Sequence, residues 1–248
     1  MRRFLWPIVV AVLLVAGVLA WRSAATRASD AMVRADPETI LADPALAKTA
    51  LAMGRPVFAD RCASCHGAAG EPDPTRGVPD LRDDDRLYGE GRVADIEAIV
   101  RHGIRSGDRK GWNLAAMPAY ARAKPYAAEP IPPLTPQGVG DVTQFVLSLS
   151  KRATDPAAVA RGRALYSGTG DCWDCHSGDA RGDSAIGAPD LADNVWLYGD
   201  GSAASIAASL ERGRAGVSPA FAKLLTPAEI RAVSVYVASL SHDRGKQP

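Results

Sequence analysis

The chain has almost no net charge to use. Its 248 residues hold 29 Lys plus Arg against 28 Asp plus Glu, a net +1, and basic and acidic residues cancel over 44–150 and over 151–248 alike. No basic stripe marks a nucleic-acid surface, and no acidic tail is present. Aromatics are scarce, at 6%. Nowhere do apolar and polar residues alternate as in a half-buried strand, so a sheet is excluded and helices remain. Long apolar runs are missing too, with one exception: Phe4 to Trp21, behind Arg2 and Arg3. Eighteen helical residues span roughly 27 Å, close to the ~30 Å hydrocarbon core of a bilayer. Residues 1–21 therefore read as a single-pass anchor of the bacterial inner membrane, with 22–44 as a polar linker on the periplasmic side. The competing reading is a signal peptide cut after Ala20 or Ala25, which would leave a soluble periplasmic protein.

Cysteine is rare but not scattered. All four lie in two like settings, CASCH at 62–66 and CWDCH at 172–176, offset by 110. The repeat runs further: PDLRDDDRLYGEG at 79–91 matches PDLADNVWLYGDG at 189–201. The offset falls to 101 at Met117 and Ser218, and to 91 where LTPQGVGDVTQFVLSLS (134–150) meets LTPAEIRAVSVYVASLS (225–241). Loops changed length while elements kept their order. Two copies at this long period indicate a tandem duplication, not a solenoid. The domains read as 45–150 and 151–248.

Each copy predicts short helices: one leading into the cysteine motif (45–59, 156–166), one ending at a glycine (92–102, 202–212), and a closing helix. The closing helices start Leu-Thr-Pro, with Thr135 or Thr226 as N-cap and Pro136 or Pro227 in the first turn. The abundant Gly (23) and Pro (18) go to long ordered loops. So few helices make a thin core for roughly 100 residues, and something else must fill the middle.

C-x-x-C-H is the attachment signature of c-type haem. Two thiols three residues apart on one helical turn reach the two vinyl groups of a porphyrin, and the next imidazole falls under the iron. A thioredoxin-like redox pair would need a βαβ context, which is absent. A zinc site would bring its cysteine pairs some 15–20 residues apart, not 110. Simple disulfides would not place a histidine after each pair. Cys62, Cys65 and His66, and Cys172, Cys175 and His176, thus predict two covalently bound haem c groups with His66 and His176 as iron ligands. Met117, in a Met-Pro loop before a closing helix, reads as a sixth ligand, since a thioether favours ferrous iron. The other reading of Met117 is core filler. Methionine is itself scarce, and none follows Met117. Counted along its own repeat, Met117 would serve the first haem, and Ser218 would stand at the second.

At these residues the chain resembles class I c-type cytochromes. Each half has a helix with Gly and an aromatic (Gly54, Phe58; Gly162, Tyr166), then C-x-x-C-H, then Pro-x-Leu, the Met-Pro loop and a closing helix. PDLRDDDRLYGEG, IVRHGIRS, MPAY and VYVASLS resemble more closely the di-haem subunit of cbb-type haem–copper terminal oxidases, over about residues 45–242. The resemblance implies an all-α fold of two tandem cytochrome c-like domains after a transmembrane helix. It also implies a non-enzymatic electron carrier between a quinol-oxidising complex or small cytochrome c and a terminal oxidase. The carbonyls of Pro79 and Pro189 would accept the proximal imidazole N–H. The chain departs from the family by opening directly on the apolar run and by Ser218.

Other residues have plainer readings. His102 ends a helix, where a cation is favoured. A cross-domain ligand is its alternative. His242 reads as part of a solvated tail, Trp112 and Trp173 as porphyrin shields or a partner contact, and Asp83–Asp85 as a solvated turn. The competing function is a di-haem peroxidase or gas-binding protein with an open second haem, for which GRAGVSPAF would offer only Arg214 and Ser218.

Overall fold

The computed structural model describes residues 5–122 and 132–244. Among these residues the chain is helical, with only isolated bridges in place of strands. Helix α1 spans Leu5–Arg34, α2 Pro44–Arg61, α3 Ala63–His66, α4 Val93–His102 and α5 Pro136–Leu149. Then come α6 Pro156–Ser167, α7 Trp173–His176, α8 Ala203–Arg212 and α9 Pro227–Arg244. The predicted caps are formed. Thr135 Oγ1 accepts from Gly138 N at 3.1 Å. Thr226 and Glu229 close a reciprocal capping box, with Glu229 Oε2 accepting from Thr226 N at 2.8 Å. His242 lies within α9, and its side chain falls outside the described residues.

The stretch expected as a linker is not one. Residues 22–34 continue α1, and a 3-10 turn follows at Pro37–Ala42. Met32 and Ile40 are fully buried against Ala50, Val93, Ala232 and Val235. Val9–Arg34 is long and apolar enough to cross a membrane, and residues 9–27 of it are exposed throughout. The same helix is thus bare at one end and locked at the other. The lock is Arg231 of α9. Its guanidinium donates to the carbonyls of Met32 and Ala35 at 3.3 and 2.9 Å, occupying orphan acceptors at the end of α1. It also pairs with Glu97 of α4, both side chains being nearly buried. Arg231→Ala should cost about 3 kcal/mol, the low end for breaking a buried pair, because Glu97 keeps Arg101 at 2.7 Å. Limited proteolysis should then cut the wild-type-resistant 35–43 segment.

The closing helices are exchanged between the repeats. Helix α9, from the second repeat, packs on α2 and α4 of the first. Helix α5, from the first, packs on α6 and α8 of the second. At both crossings a glycine lets two backbones touch. A Cβ on Gly54 would lie under 3 Å from the Ala232 carbonyl, and one on Gly162 equally close to that of Asp141. Beside each glycine an aromatic pair forms across the repeats: Phe58 with Tyr236 at 5.3 Å between centroids, and Phe145 with Tyr166 at 4.9 Å. The packing units are therefore α2, α3, α4 with α9, and α6, α7, α8 with α5. They differ from the contiguous blocks 45–150 and 151–248 that the repeat suggests.

Charge explains why near-identical helices sort this way. Asp141 on α5 takes a two-point bond from Arg161 on α6, at 2.9 and 2.7 Å. This bond and the Arg161 guanidinium hold the Asp141 carboxyl below its usual range. The repeat puts Met53 on α2 where α6 has Arg161, so Asp141 would find no partner there. Arg231 pairs with Glu97, and the repeat puts Ala207 on α8 at that position. Each closing helix carries a charge matched only by the opposite repeat, which rejects the alternative as well as favouring the native pairing.

The two units meet in a pseudo-twofold contact. Gly89 N donates to Ser184 O, and Gly199 N to Pro74 O, both at 3.0 Å. Tyr88 lies on Gly187 and Tyr198 on Gly77. Arg105 donates to the Tyr88 hydroxyl at 2.9 Å, and the Arg214 guanidinium sits 4.2 Å over the Tyr198 ring.

Candidate functional site

The cysteine motifs fold as predicted. In each, the first cysteine starts a single turn of helix that ends at the histidine (α3, α7). The amides of His66 and His176 donate to the carbonyls of Cys62 and Cys172, at 3.0 and 2.9 Å. No disulfide joins any of the four cysteines. Burial, then the adjacent Cys65, pushes the Cys62 thiol up to about 11.

Both histidines are set up as neutral donors. Burial lowers the basicity of each imidazole. His176 Nδ1 lies 3.0 Å from the Pro189 carbonyl, which fixes the N–H there and leaves Nε2 with its lone pair. His66 has the Pro79 carbonyl on the same side, short of a well-formed hydrogen bond. Its Nδ1 is buried and unpaired, alone in this among the described side chains. A buried imidazole without a full set of partners, flanked by two free thiols on one turn, fits a tethered metalloporphyrin. Each motif also adjoins an apolar cluster: Cys172 belongs to that of the second unit, and Cys62 packs against that of the first.

The Met-Pro loop lies where its own repeat would not place it. Met117 packs on the buried cluster of the second unit, which includes Tyr166, Cys172, Ile206 and Leu210. Its backbone pairs with Arg214, N to O at 2.9 Å and back at 3.0 Å. Tyr120, three residues on, donates its amide to Leu210 O at 2.7 Å. Burial and hydrogen-bonded Cys172 raise the Tyr120 phenol well above its usual range. Ser218 mirrors this in the first unit. It pairs with Ile104 at 2.9 and 3.0 Å, and Phe221 N donates to Val100 O at 3.0 Å. Gly103 and Gly213, at φ of 73° and 71°, open the space. A Cβ on either would lie under 3 Å from the carbonyl of Ser218 or Met117, respectively. Met117 thus lies on the second unit and the Ser218 backbone on the first, each across from its own repeat.

The remaining residues fall to structural roles. His102 Nδ1 lies 3.3 Å from Asp108 Oδ2 at the end of α4. Trp112 meets Tyr88 edge-on at 5.5 Å, while Trp173 stands largely exposed. Asp83 caps a turn by accepting from Asp85 N at 3.1 Å. Asp84 and Asp85 are exposed, as a solvated turn requires. Desolvation, then Asp193 of the second repeat, raises the Asp85 carboxyl. Sequence reasoning missed Arg105, which joins Tyr88 to the carbonyls of Ala115 and Gly216. Its only signal was its place in the shared GIRS/GRAG loop.

Comparison with known proteins agrees with this geometry. The cytochrome c family model matches residues 51–150 and 159–241. The chain is 40% identical over 197 residues to the cbb3-type cytochrome c oxidase subunit CcoP of Azospirillum brasilense, covering 77% of this chain and 62% of that one. It is 35% identical over 249 residues to the subunit FixP of Azorhizobium caulinodans, covering 95% and 78%. With the Rhodobacter capsulatus CcoP it shares 36% over 219 residues, covering 85% and 69%. The chain thus spans under two thirds of the Azospirillum protein and more of the others. With two C-x-x-C-H turns, two neutral imidazoles and these relatives, the chain belongs to the cytochrome c family, as a di-haem member alongside the CcoP and FixP subunits, and carries two covalently attached haem c groups.

Proposed function

We propose that the chain is a membrane-anchored electron carrier that feeds a terminal oxidase of the haem–copper type. The observation that carries this reading is the pair of C-x-x-C-H turns in a fold that also holds the end of an apolar helix. Cys62, Cys65, Cys172 and Cys175 hold the groups, and His66 and His176 ligate them. When bound, haem c supplies one-electron ferric/ferrous chemistry. The protein's residues keep the imidazoles neutral and oriented and limit solvent access. No catalytic side chain is required. The relatives, all named as oxidase subunits, favour this over a peroxidase.

Arg2 and Arg3 before the apolar run put the N-terminus in the cytoplasm under the positive-inside rule. The haem units then face the periplasm, where thioether attachment is made. Because α1 runs unbroken past Ala20 and Ala25 into buried packing at Met32, the anchor reading is preferred to cleavage. The donor would be a quinol-oxidising complex or a small cytochrome c.

The detergent-solubilised chain should bind two haem groups. Stopped-flow mixing should show it reduced by a respiratory donor and reoxidised by a cbb-type oxidase core. Two haem groups with no exchange toward any oxidase core would overturn the assignment.

A further inference from the structure

We propose that the surface around the second cysteine motif, centred on Trp173, is the docking face for a small soluble redox protein whose own cofactor edge is rimmed with Lys and Arg. This rests on the electron-transfer reading above and deepens it, by naming where one partner binds and through what chemistry.

Outside the anchor helix, Trp173 is the one exposed aromatic side chain among the described residues, at 47%. It stands between Cys172 and Cys175, so it lies along the tethered edge of the porphyrin, where an incoming electron has the shortest path. Its surroundings are acidic. Between Arg163 and Arg181 the chain holds Asp171, Asp174 and Asp179 and no Lys or Arg. Asp174 and Asp179 are exposed. Arg163 lies over the Phe145 ring, and Arg181 pairs with Asp190 at 3.0 Å, which leaves the patch a net negative charge. Haem attachment does not impose this chemistry. At the matching positions the first motif has Arg61, Ala63, Ser64 and Ala69, and Arg61 is balanced by Asp60 at 2.8 Å.

The two features do different work. Exposed carboxylates steer a cationic partner toward the face before contact is made. A tryptophan ringed by charge then supplies the flat apolar centre that loses its water on docking. The position in the fold agrees. Helix α1 packs on α2 and α9, both of the first unit, so the anchor holds the first unit and the second carries the docking face.

The test uses the full anchored chain with both haem groups and, as probe, ferrous mitochondrial-type cytochrome c, whose haem edge is rimmed by lysines. In stopped-flow mixing the wild-type rate constant should fall on the order of tenfold as salt shortens the reach of the charges. Asp171→Asn/Asp174→Asn/Asp179→Asn should lower the low-salt rate constant by about tenfold and flatten that salt dependence. Trp173→Ala should raise the half-saturating probe concentration by about tenfold and leave the salt dependence intact. A small uncharged hydroquinone needs no docking face. It should reduce all chains alike, with unchanged haem content and visible spectrum, which guards against misfolding. A wild-type rate and salt dependence in the triple variant would overturn the docking face. So would a Trp173→Ala chain whose visible spectrum or hydroquinone rate changes along with its cytochrome rate, since that marks a porphyrin shield. A wild-type chain that exchanges electrons with an oxidase core but shows no salt-dependent exchange with the probe would overturn this inference alone. No exchange with either would sink the electron-carrier reading as well.

Discussion

Gly162→Val is expected to dismantle the second unit while leaving the first haem attached. The Cβ would fall under 3 Å from the Asp141 carbonyl oxygen and carbon and from Phe145 Cβ. Two of these are backbone atoms of α5, which cannot rotate away. The helices must separate, stretching the two-point bond between Arg161 and Asp141 and the Phe145–Tyr166 contact. Overpacking a tight site costs about 1–3 kcal/mol, and backbone against backbone belongs at the upper end. For a domain this small, each kcal/mol lowers the melting temperature by roughly 4–8 °C. The unfolding midpoint of the second unit should fall by about 10–20 °C. Gly140→Ala is the matched control on the same crossing. It has nothing within 4 Å, and it should hold or raise the midpoint, because alanine reduces the freedom of the unfolded chain. An unchanged midpoint in Gly162→Val would mean that α5 does not cross α6 at this glycine.

The contrast between these glycines shows what a sequence can and cannot tell. The helices, their caps and both C-x-x-C-H turns were legible because local chemistry determines them: Thr-Pro starts a helix, and Gly stops one. The proximal hydrogen bond at His176 was legible only through the family resemblance, of which the Pro-x-Leu motif is a part. The exchange of α5 and α9 was not. It is a choice between two grooves of nearly the same apolar shape, and neither propensity nor periodicity distinguishes them. The distinguishing signal was in the sequence, as differences within the repeat. Asp141 aligns with Ala232, Arg161 with Met53, Arg231 with Gly140 and Glu97 with Ala207. A charge in one copy whose repeat partner is neutral, matched by an opposite charge unique to the other copy, is what an exchanged pair leaves behind. The segment 22–44 misled for a related reason. It is polar in composition, but Met32 and Ile40 pin its second half to the first unit, where Arg231 donates to the carbonyls at the end of α1.

Removing α9, by ending the chain after Leu225, should destroy the first unit and spare the second, the reverse of what the order of the repeats suggests. Helix α9 supplies Ile230, Val233 and Val235, all at or below 1% exposure, and Tyr236 at 8%. Burying each such side chain contributes about 1.5–3 kcal/mol, so their loss takes on the order of 10 kcal/mol from a unit whose whole stability lies near 5–15 kcal/mol. Phe58 loses its ring partner, Gly54 faces open space, and the end of α1 loses Arg231. The second unit loses none of its helices, because α5 is encoded before residue 150. The truncated chain should therefore keep the haem of the second unit in a folded site. Its first haem should show altered spin state or be lost, and residues 35–61 should become sensitive to protease. If α9 instead closed its own repeat, the truncation would abolish the methionine-free site at Cys172 and leave Met117 on the first haem. Thioether peptide mapping of the haem that survives decides between them, since it reports which cysteine pair still holds a folded site.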